Sequence, residues 1–190
     1  MSADPSVARA ATALFDARSS RAPIQPISET FEVTDPELAY AVQEANTARW
    51  VADGRKLVGR KIGLTSEAVQ RQLGVDQPDY GMLWGDLGFE SGAVVPIERF
   101  LQPRVEAEAA FVMASALDTP DATLEDVAGA IDHAVAAVEI VDSAIADWKI
   151  TLADTIADNA SGGGFVLGMV LASTDYFDGI LARRRGTVSR

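Results

Sequence analysis

The chain has 190 residues, 48% of them hydrophobic and 23% charged. That composition suits one globular domain with a real core and excludes a disordered chain. The net charge of −12, from 28 acidic and 16 basic residues, argues against a nucleic-acid partner, because such proteins carry a basic patch or stripe.

The dense basic run is Arg183-Arg184-Arg185. No stretch approaches the ~20 apolar residues that span a bilayer. The first residues lack the basic and apolar regions of a secretory signal. There is no cysteine, so disulfides and thiolate metal sites are excluded. A cytoplasmic protein without a membrane partner is expected.

In chain order, alanine-rich residues 7–18 predict a helix, and residues 21–26, with two prolines, a connector. A second helix starts near Asp35. Thr34 and Glu37 have capping-box spacing, and Pro36 sits in the first turn, where a missing N–H costs little. Leu38, Val42, Ala45 and Ala48 or Ala52 form its apolar stripe, and Gly54 is a stop signal. Residues 57–63 predict a short strand. Thr65 caps a short helix, 66–73, closed by Gly74, and residues 75–81 read as a loop. Strands are expected over 89–97 and 105–113, the second from its alternation. Residues 114–121 mark a surface turn. Thr123 caps a helix running to about His133, and 134–141 is an apolar run that suits a buried strand. Residues 147–159 read as irregular or helical, 165–170 as a strand, and 180–188 as a hairpin. Leading helices followed mostly by strands predict an α+β fold.

Among the chemistry-bearing residues, Glu106 and Glu108 come first. On a strand, side chains two apart share a face, so both carboxylates project together while Val105, Ala107, Ala109 and Phe111 point the other way. Two adjacent carboxylates repel unless a cation or proton lies between them. Hard divalent ions such as Mg²⁺ or Mn²⁺ prefer oxygen ligands. A solvated strand face explains the same pattern. Glu139 interrupts the apolar run Ala136-Ala137-Val138-Glu139-Ile140-Val141, where an unpaired charge is costly. A buried ion pair and a third metal ligand both account for it.

Lys61, between Gly59 and Gly63, reads either as an ion-paired lysine or as a proton-transfer group. Asp79 is a turn former or a general base. Ser161, ahead of Gly162-Gly163-Gly164, marks either a bend or a place where backbone N–H groups approach a carboxylate. His133 is the single histidine, so Ser–His and Cys–His triads are not expected.

Four segments carry a family resemblance: Gly59-Arg60-Lys61-Ile62-Gly63-Leu64-Thr65-Ser66, Gly74-Val75-Asp76-Gln77-Pro78-Asp79-Tyr80-Gly81, Gln102-Pro103-Arg104-Val105-Glu106-Ala107-Glu108 and Ala157-Asp158-Asn159-Ala160-Ser161. In this order they resemble the 2-keto-4-pentenoate hydratases, also called 2-hydroxypenta-2,4-dienoate hydratases. These form part of the hydratase/decarboxylase branch of the fumarylacetoacetate hydrolase superfamily. The resemblance implies a fumarylacetoacetase-like β-roll after the N-terminal helices. Residues 1–56 would be the helical region and 57–190 the catalytic roll, functionally one domain, with the roll incomplete at its C-terminal side. It further implies a hydro-lyase of aromatic meta-cleavage catabolism that adds water to 2-hydroxypenta-2,4-dienoate, giving 4-hydroxy-2-oxopentanoate. Glu106, Glu108 and Glu139 match the ligands of a divalent metal, Mg²⁺ or Mn²⁺. Lys61 and Asp79 match the acid–base positions, and Ser161 and Leu64 the substrate-contacting ones. A homo-oligomer, and a complex with a pathway decarboxylase or aldolase, are expected as well. The competing readings are a 2-oxo-3-hexenedioate (4-oxalocrotonate) decarboxylase and a non-catalytic partner subunit.

Overall fold

The computed structural model describes residues 4–173. Three helices lead the chain: α1 (Pro5–Ser20), α2 (Ile27–Thr30) and α3 (Pro36–Ala52). Asp4 starts α1 by accepting the N–H of Ser6 at 2.8 Å, with Pro5 in the first turn. The cap of α3 is Asp35 rather than Thr34: its carboxylate accepts from the N–H groups of Glu37 and Leu38. Pro36 drives the residue before it into an extended conformation, and Asp35 adopts φ −88°, ψ 133°. That geometry turns its own carboxylate onto the open N–H groups.

The buried stripe of α3 matches the expected one in part: Val42 is buried and Leu38 and Ala45 pack against the core, whereas Ala48 and Ala52 are exposed and Ala39, Gln43 and Asn46 are buried. Polar side chains occupy the inner face because each amide has a backbone partner. Gln43 Nε2 donates to the carbonyls of Tyr80 and Ile156, and Asn46 Nδ2 to that of Ala11. These bonds satisfy the NH2 groups and offset part of the desolvation penalty that keeps most amides outside, while Gln43 Oε1 and Asn46 Oδ1 are buried without a hydrogen-bond partner among the described residues.

The strands and later helices follow as β1 (Leu57–Gly63), α4 (Glu67–Leu73), β2 (Asp79–Trp84), β3 (Gly88–Phe89), β4 (Arg104–Met113), α5 (Leu124–Ala130), β5 (Ile131–Val141), α6 (Leu152–Ala157) and β6 (Gly162–Ser173). The architecture is α+β. β1 and β2 form an antiparallel pair, and the other strands form a sheet in the order β3-β6-β5-β4.

Three boundaries depart from the expectations. The strand expected over 89–97 is reduced to the end of β3: Gly92 turns the chain at φ +85°, and Pro96 has no N–H for a ladder. The loop expected over 75–81 gives way at Asp79, which opens β2. α5 stops at Ala130, so His133 lies on β5, 2.7 Å from Asp132, instead of ending a helix. The hairpin expected over 180–188 lies outside the described residues.

The chain divides into two compact units. One comprises Met1–Phe89, Ala93–Glu106 and Glu139–Phe165; the other comprises Glu90–Gly92, Ala107–Val138 and Val166–Arg190. The first contains the helical core, in which Leu14, Ile27, Val33, Val42, Ile145 and Ile156 are buried. In the second, large apolar side chains such as Phe111 on β4 and Met169 on β6 are exposed.

Candidate active site

The antiparallel register of β1 and β2 sets Lys61 opposite Gly81 and Gly63 opposite Asp79. Lys61 and Gly63 are two apart and share a face of β1. A side chain at Gly63 would collide with the Asp79 carboxylate, and its Cβ would stand 3.6 Å from Lys61 Nζ. Glycine therefore leaves the space in which the ammonium and the carboxylate face each other. Gly81 clears space for a second approach, since a Cβ there would run into the carbonyl of Asn159.

That carbonyl belongs to an unusual turn. Asn159, Ala160 and Ser161 have φ of 58°, 51° and 52°, three consecutive left-handed residues without a glycine among them. Each such residue costs about 1 kcal/mol or more, so the surroundings must hold the turn in place. Asn159 does this by pairing with β2 as a peptide would: Oδ1 accepts the Met82 N–H at 2.7 Å and Nδ2 donates to its carbonyl at 3.0 Å. The Ser161 carbonyl accepts the Asp142 N–H at 2.7 Å. The turn thereby offers the Ala160 carbonyl to Lys61 Nζ at 2.8 Å.

Lys61 also pairs with Glu139, Nζ to Oε1 at 2.9 Å, with both side chains about one-tenth exposed. This meets the ion-pair reading of both residues. Asp79 is 3% exposed. Burial raises its carboxyl above the ordinary value of 3.8, opposed by the Lys61 charge and by hydrogen bonds from Thr155 and the Gly63 backbone. Thr155 Oγ1 donates to Asp79 Oδ2 at 3.2 Å and lies 3.3 Å from Ser161 Oγ. Leu64 follows directly on β1, half-buried, at φ 56°.

Glu106 and Glu108 stand exposed on β4, on one face of the strand as the alternation predicts. The opposite face is not a core face, because Val105 is 73% and Phe111 53% exposed. Glu106, Glu108 and the buried Glu139 each offer one carboxylate oxygen, and these atoms lie within 4.8 Å of one another. Three oxygens converging at that spacing repel without a cation. They form the all-oxygen donor set that suits a hard divalent ion, so the residues fit the metal.

Two features were not singled out in the sequence. Thr155 has no motif of its own, although the capping box that starts its helix, Thr151 with Asp154, has readable spacing. The second is Arg18 on α1, which pairs with the buried Asp142 and Asp158 at 3.4 and 2.8 Å. Asp142 in turn accepts the N–H groups of Leu101 and Gln102, just ahead of β4.

No family model matches the chain. It is 49% identical over 184 residues to the TodF product hydratase of Pseudomonas putida, covering 95% of this chain and 69% of that protein. It is 47% identical over 181 residues to a 2-keto-4-pentenoate hydratase of Paraburkholderia xenovorans, covering 93% and 67%. The chain belongs to the 2-keto-4-pentenoate hydratase family. A 2-hydroxypent-2,4-dienoate hydratase of Pseudomonas putida is 41% identical over 179 residues, 91% of this chain and 80% of that protein. Among solved structures, the family member resembles a 4-oxalocrotonate decarboxylase from Pseudomonas putida G7 complexed with magnesium and adipate. The TM-score is 0.83 at 34% identity, over 90% of this chain and 65% of that one. The same decarboxylase complexed with calcium and acetate gives a TM-score of 0.81. The chain thus spans about two thirds of the length of the first two hydratases and of the decarboxylase, and 80% of the third hydratase.

Proposed function

We propose that the protein is a metal-dependent hydro-lyase that adds water to 2-hydroxypenta-2,4-dienoate, the enol of 2-oxopent-4-enoate, to give 4-hydroxy-2-oxopentanoate in aromatic catabolism. The observation that carries this reading is the meeting of Lys61, Asp79 and Ser161 around one left-handed turn, with Lys61 paired to one of three converging glutamates. The kinship to named hydratases supports it, and the fold proposed for the whole protein is the fumarylacetoacetase-like β-roll.

Glu106, Glu108 and Glu139 would hold Mg²⁺ or Mn²⁺. When bound, such an ion supplies Lewis acidity toward the substrate carboxylate and 2-oxygen. The chain's own residues manage the protons. Ketonisation moves one proton from the 2-hydroxyl to carbon five. Hydration then sets a hydroxyl on carbon four and a proton on carbon three. Each change needs a group that holds and releases a proton. Asp79 suits that task because burial makes it keep its proton above the usual carboxylate range. The Lys61 ammonium stabilises its anion when the proton leaves. Ser161 and Leu64 contact the substrate.

The decarboxylase is the second reading, favoured by the solved neighbours. The higher identity to named hydratases, 41–49% against 34% to the decarboxylase, favours the hydratase.

The test supplies freshly generated 2-hydroxypenta-2,4-dienoate with Mg²⁺ or Mn²⁺ and follows loss of diene absorbance, then repeats it with Glu106→Gln. Metal-independent turnover, or full activity in the variant, rules out the proposed site. Carbon dioxide release from 2-oxo-3-hexenedioate without diene loss assigns the decarboxylase. Inactivity toward both leaves the partner-subunit reading.

A further inference from the structure

Thr155 lies on α6 between two residues of the proposed site. Its hydroxyl is 3.2 Å from Asp79 Oδ2 and 3.3 Å from Ser161 Oγ, and all three side chains are buried. A hydroxyl has one proton to give and lone pairs to receive with. When Asp79 is ionised, the Thr155 proton is committed to it. Ser161 must then donate to Thr155, and only the lone pairs of Ser161 remain for a ligand. When Asp79 carries a proton, the same three oxygens reverse. Asp79 donates to Thr155, Thr155 donates to Ser161, and the Ser161 proton is free to point at a substrate oxygen.

We propose that Thr155 is a positioning residue that transmits the protonation state of Asp79 to Ser161, and so sets whether Ser161 meets the substrate as a hydrogen-bond acceptor or as a donor. This rests on the reading of Asp79 and Ser161 as site residues. The left-handed turn gives it a structural basis: φ of 52° at Ser161 is an uncommon backbone state that sets its hydroxyl beside α6. The groups facing Asp79 are Lys61 from β1, Thr155 from α6 and Tyr40 from α3, with Tyr80 next to it on β2. Lys61 is the one cation in that set. It stabilises the carboxylate without reaching Ser161 through a hydroxyl, so the link between the two residues passes through Thr155.

The test compares Thr155→Val, which removes the hydroxyl at nearly constant volume, with Thr155→Ser, which restores it. In the full chain labelled with ¹³C-carboxyl aspartate, Asp79→Asn identifies the Asp79 resonance. The Asp79 titration midpoint is expected to rise by roughly one pH unit in T155V, through loss of a hydrogen bond to the carboxylate, and to return in T155S. With 2-oxopentanoate and Mg²⁺ as probe, wild-type affinity should change across that midpoint. The change should vanish in T155V and in Ser161→Ala, persist in T155S, and show no further loss in the double variant.

An unmoved midpoint in T155V overturns the relay. So does a retained pH dependence of probe affinity in a T155V chain with wild-type melting temperature. If T155V does not fold, S161A decides: it must abolish the pH dependence while leaving the Asp79 midpoint near its wild-type position, and any other result overturns the relay. Failure of the wild type to bind the probe overturns the functional reading instead, and the midpoints of T155V and T155S then judge the Thr155 link separately.

Discussion

Asp142, Asp154 and Asp158 are at most 2% exposed, whereas Glu106 and Glu108 stand in the open on β4. The buried set is satisfied from within. Asp154 accepts from the N–H and hydroxyl of Ser28 and caps its own helix with Thr151. Asp158 accepts the Ala144 N–H at 2.6 Å, and Arg18 reaches both Asp142 and Asp158. Among the described residues, Glu106 and Glu108 have no such hydrogen bond or ion pair. Both sets are carboxylates in one acidic chain, yet the first serves the architecture and the second is open to an external cation. Glu139 combines the two cases, buried against Lys61 while turning an oxygen toward Glu106 and Glu108.

The largest expected effect breaks the buried set. Arg18→Met leaves Asp142 and Asp158 without their cation, and removing one partner from a buried pair costs ~3–5 kcal/mol. Urea unfolding should show that loss, and a midpoint within error of wild type would mean the N–H groups alone suffice. Next comes Glu106→Gln. Loss of one oxygen ligand should weaken Mg²⁺ or Mn²⁺ binding at least ~10-fold, equivalent to ~1.4 kcal/mol, as measured by calorimetry. The metal-free melting temperature should stay where it was; a drop of several degrees would put Glu106 with the structural carboxylates.

Asp79 yields a smaller, pH-dependent effect. Burial raises its native pKa above the ordinary 3.8, so across that window the native chain holds a proton that the unfolded chain has released. Stability attributable to Asp79 therefore falls as pH rises from the ordinary value through the native one. Asp79→Asn should flatten that part of the curve, and a slope of the opposite sign in wild type would contradict the assignment. The smallest effect is expected for Glu67→Gln. Its pair with Arg71 is 86% and 72% exposed, and such pairs contribute under ~1 kcal/mol. Equilibrium unfolding should barely distinguish that variant.

Much of the fold was legible. The start of α3 near Asp35, the alternation over β4 and the capping at Thr123 all have local causes, acting within one turn or one strand. Two errors were local, the cap assigned to Thr34 and the strand carried past Gly92 and Pro96; others occurred where distant backbone decided. Gln43 and Asn46 occupy a buried face because carbonyls of Tyr80, Ile156 and Ala11 receive their amides. Asp79 joins β2 instead of a loop because Gly63 pairs with it. Val105 and Phe111 alternate correctly yet remain exposed, since alternation tells which residues share a face but not whether anything covers it.

For the site, the sequence alone determined that Glu106 and Glu108 share a strand face, because that depends only on a two-residue period. It also determined that Glu139 needed a partner, because the apolar run around it makes an unpaired charge costly. Only the tertiary structure decided that the partner is Lys61, that the three glutamate oxygens converge, and that Thr155 stands between Asp79 and Ser161. Those relations join residues 78, 33, 31 and 76 positions apart, counting Lys61–Glu139, Glu106–Glu139, Glu108–Glu139 and Asp79–Thr155 in the numbering. No local pattern encodes them. They arise from strand register and from a left-handed turn that the surrounding fold holds in place.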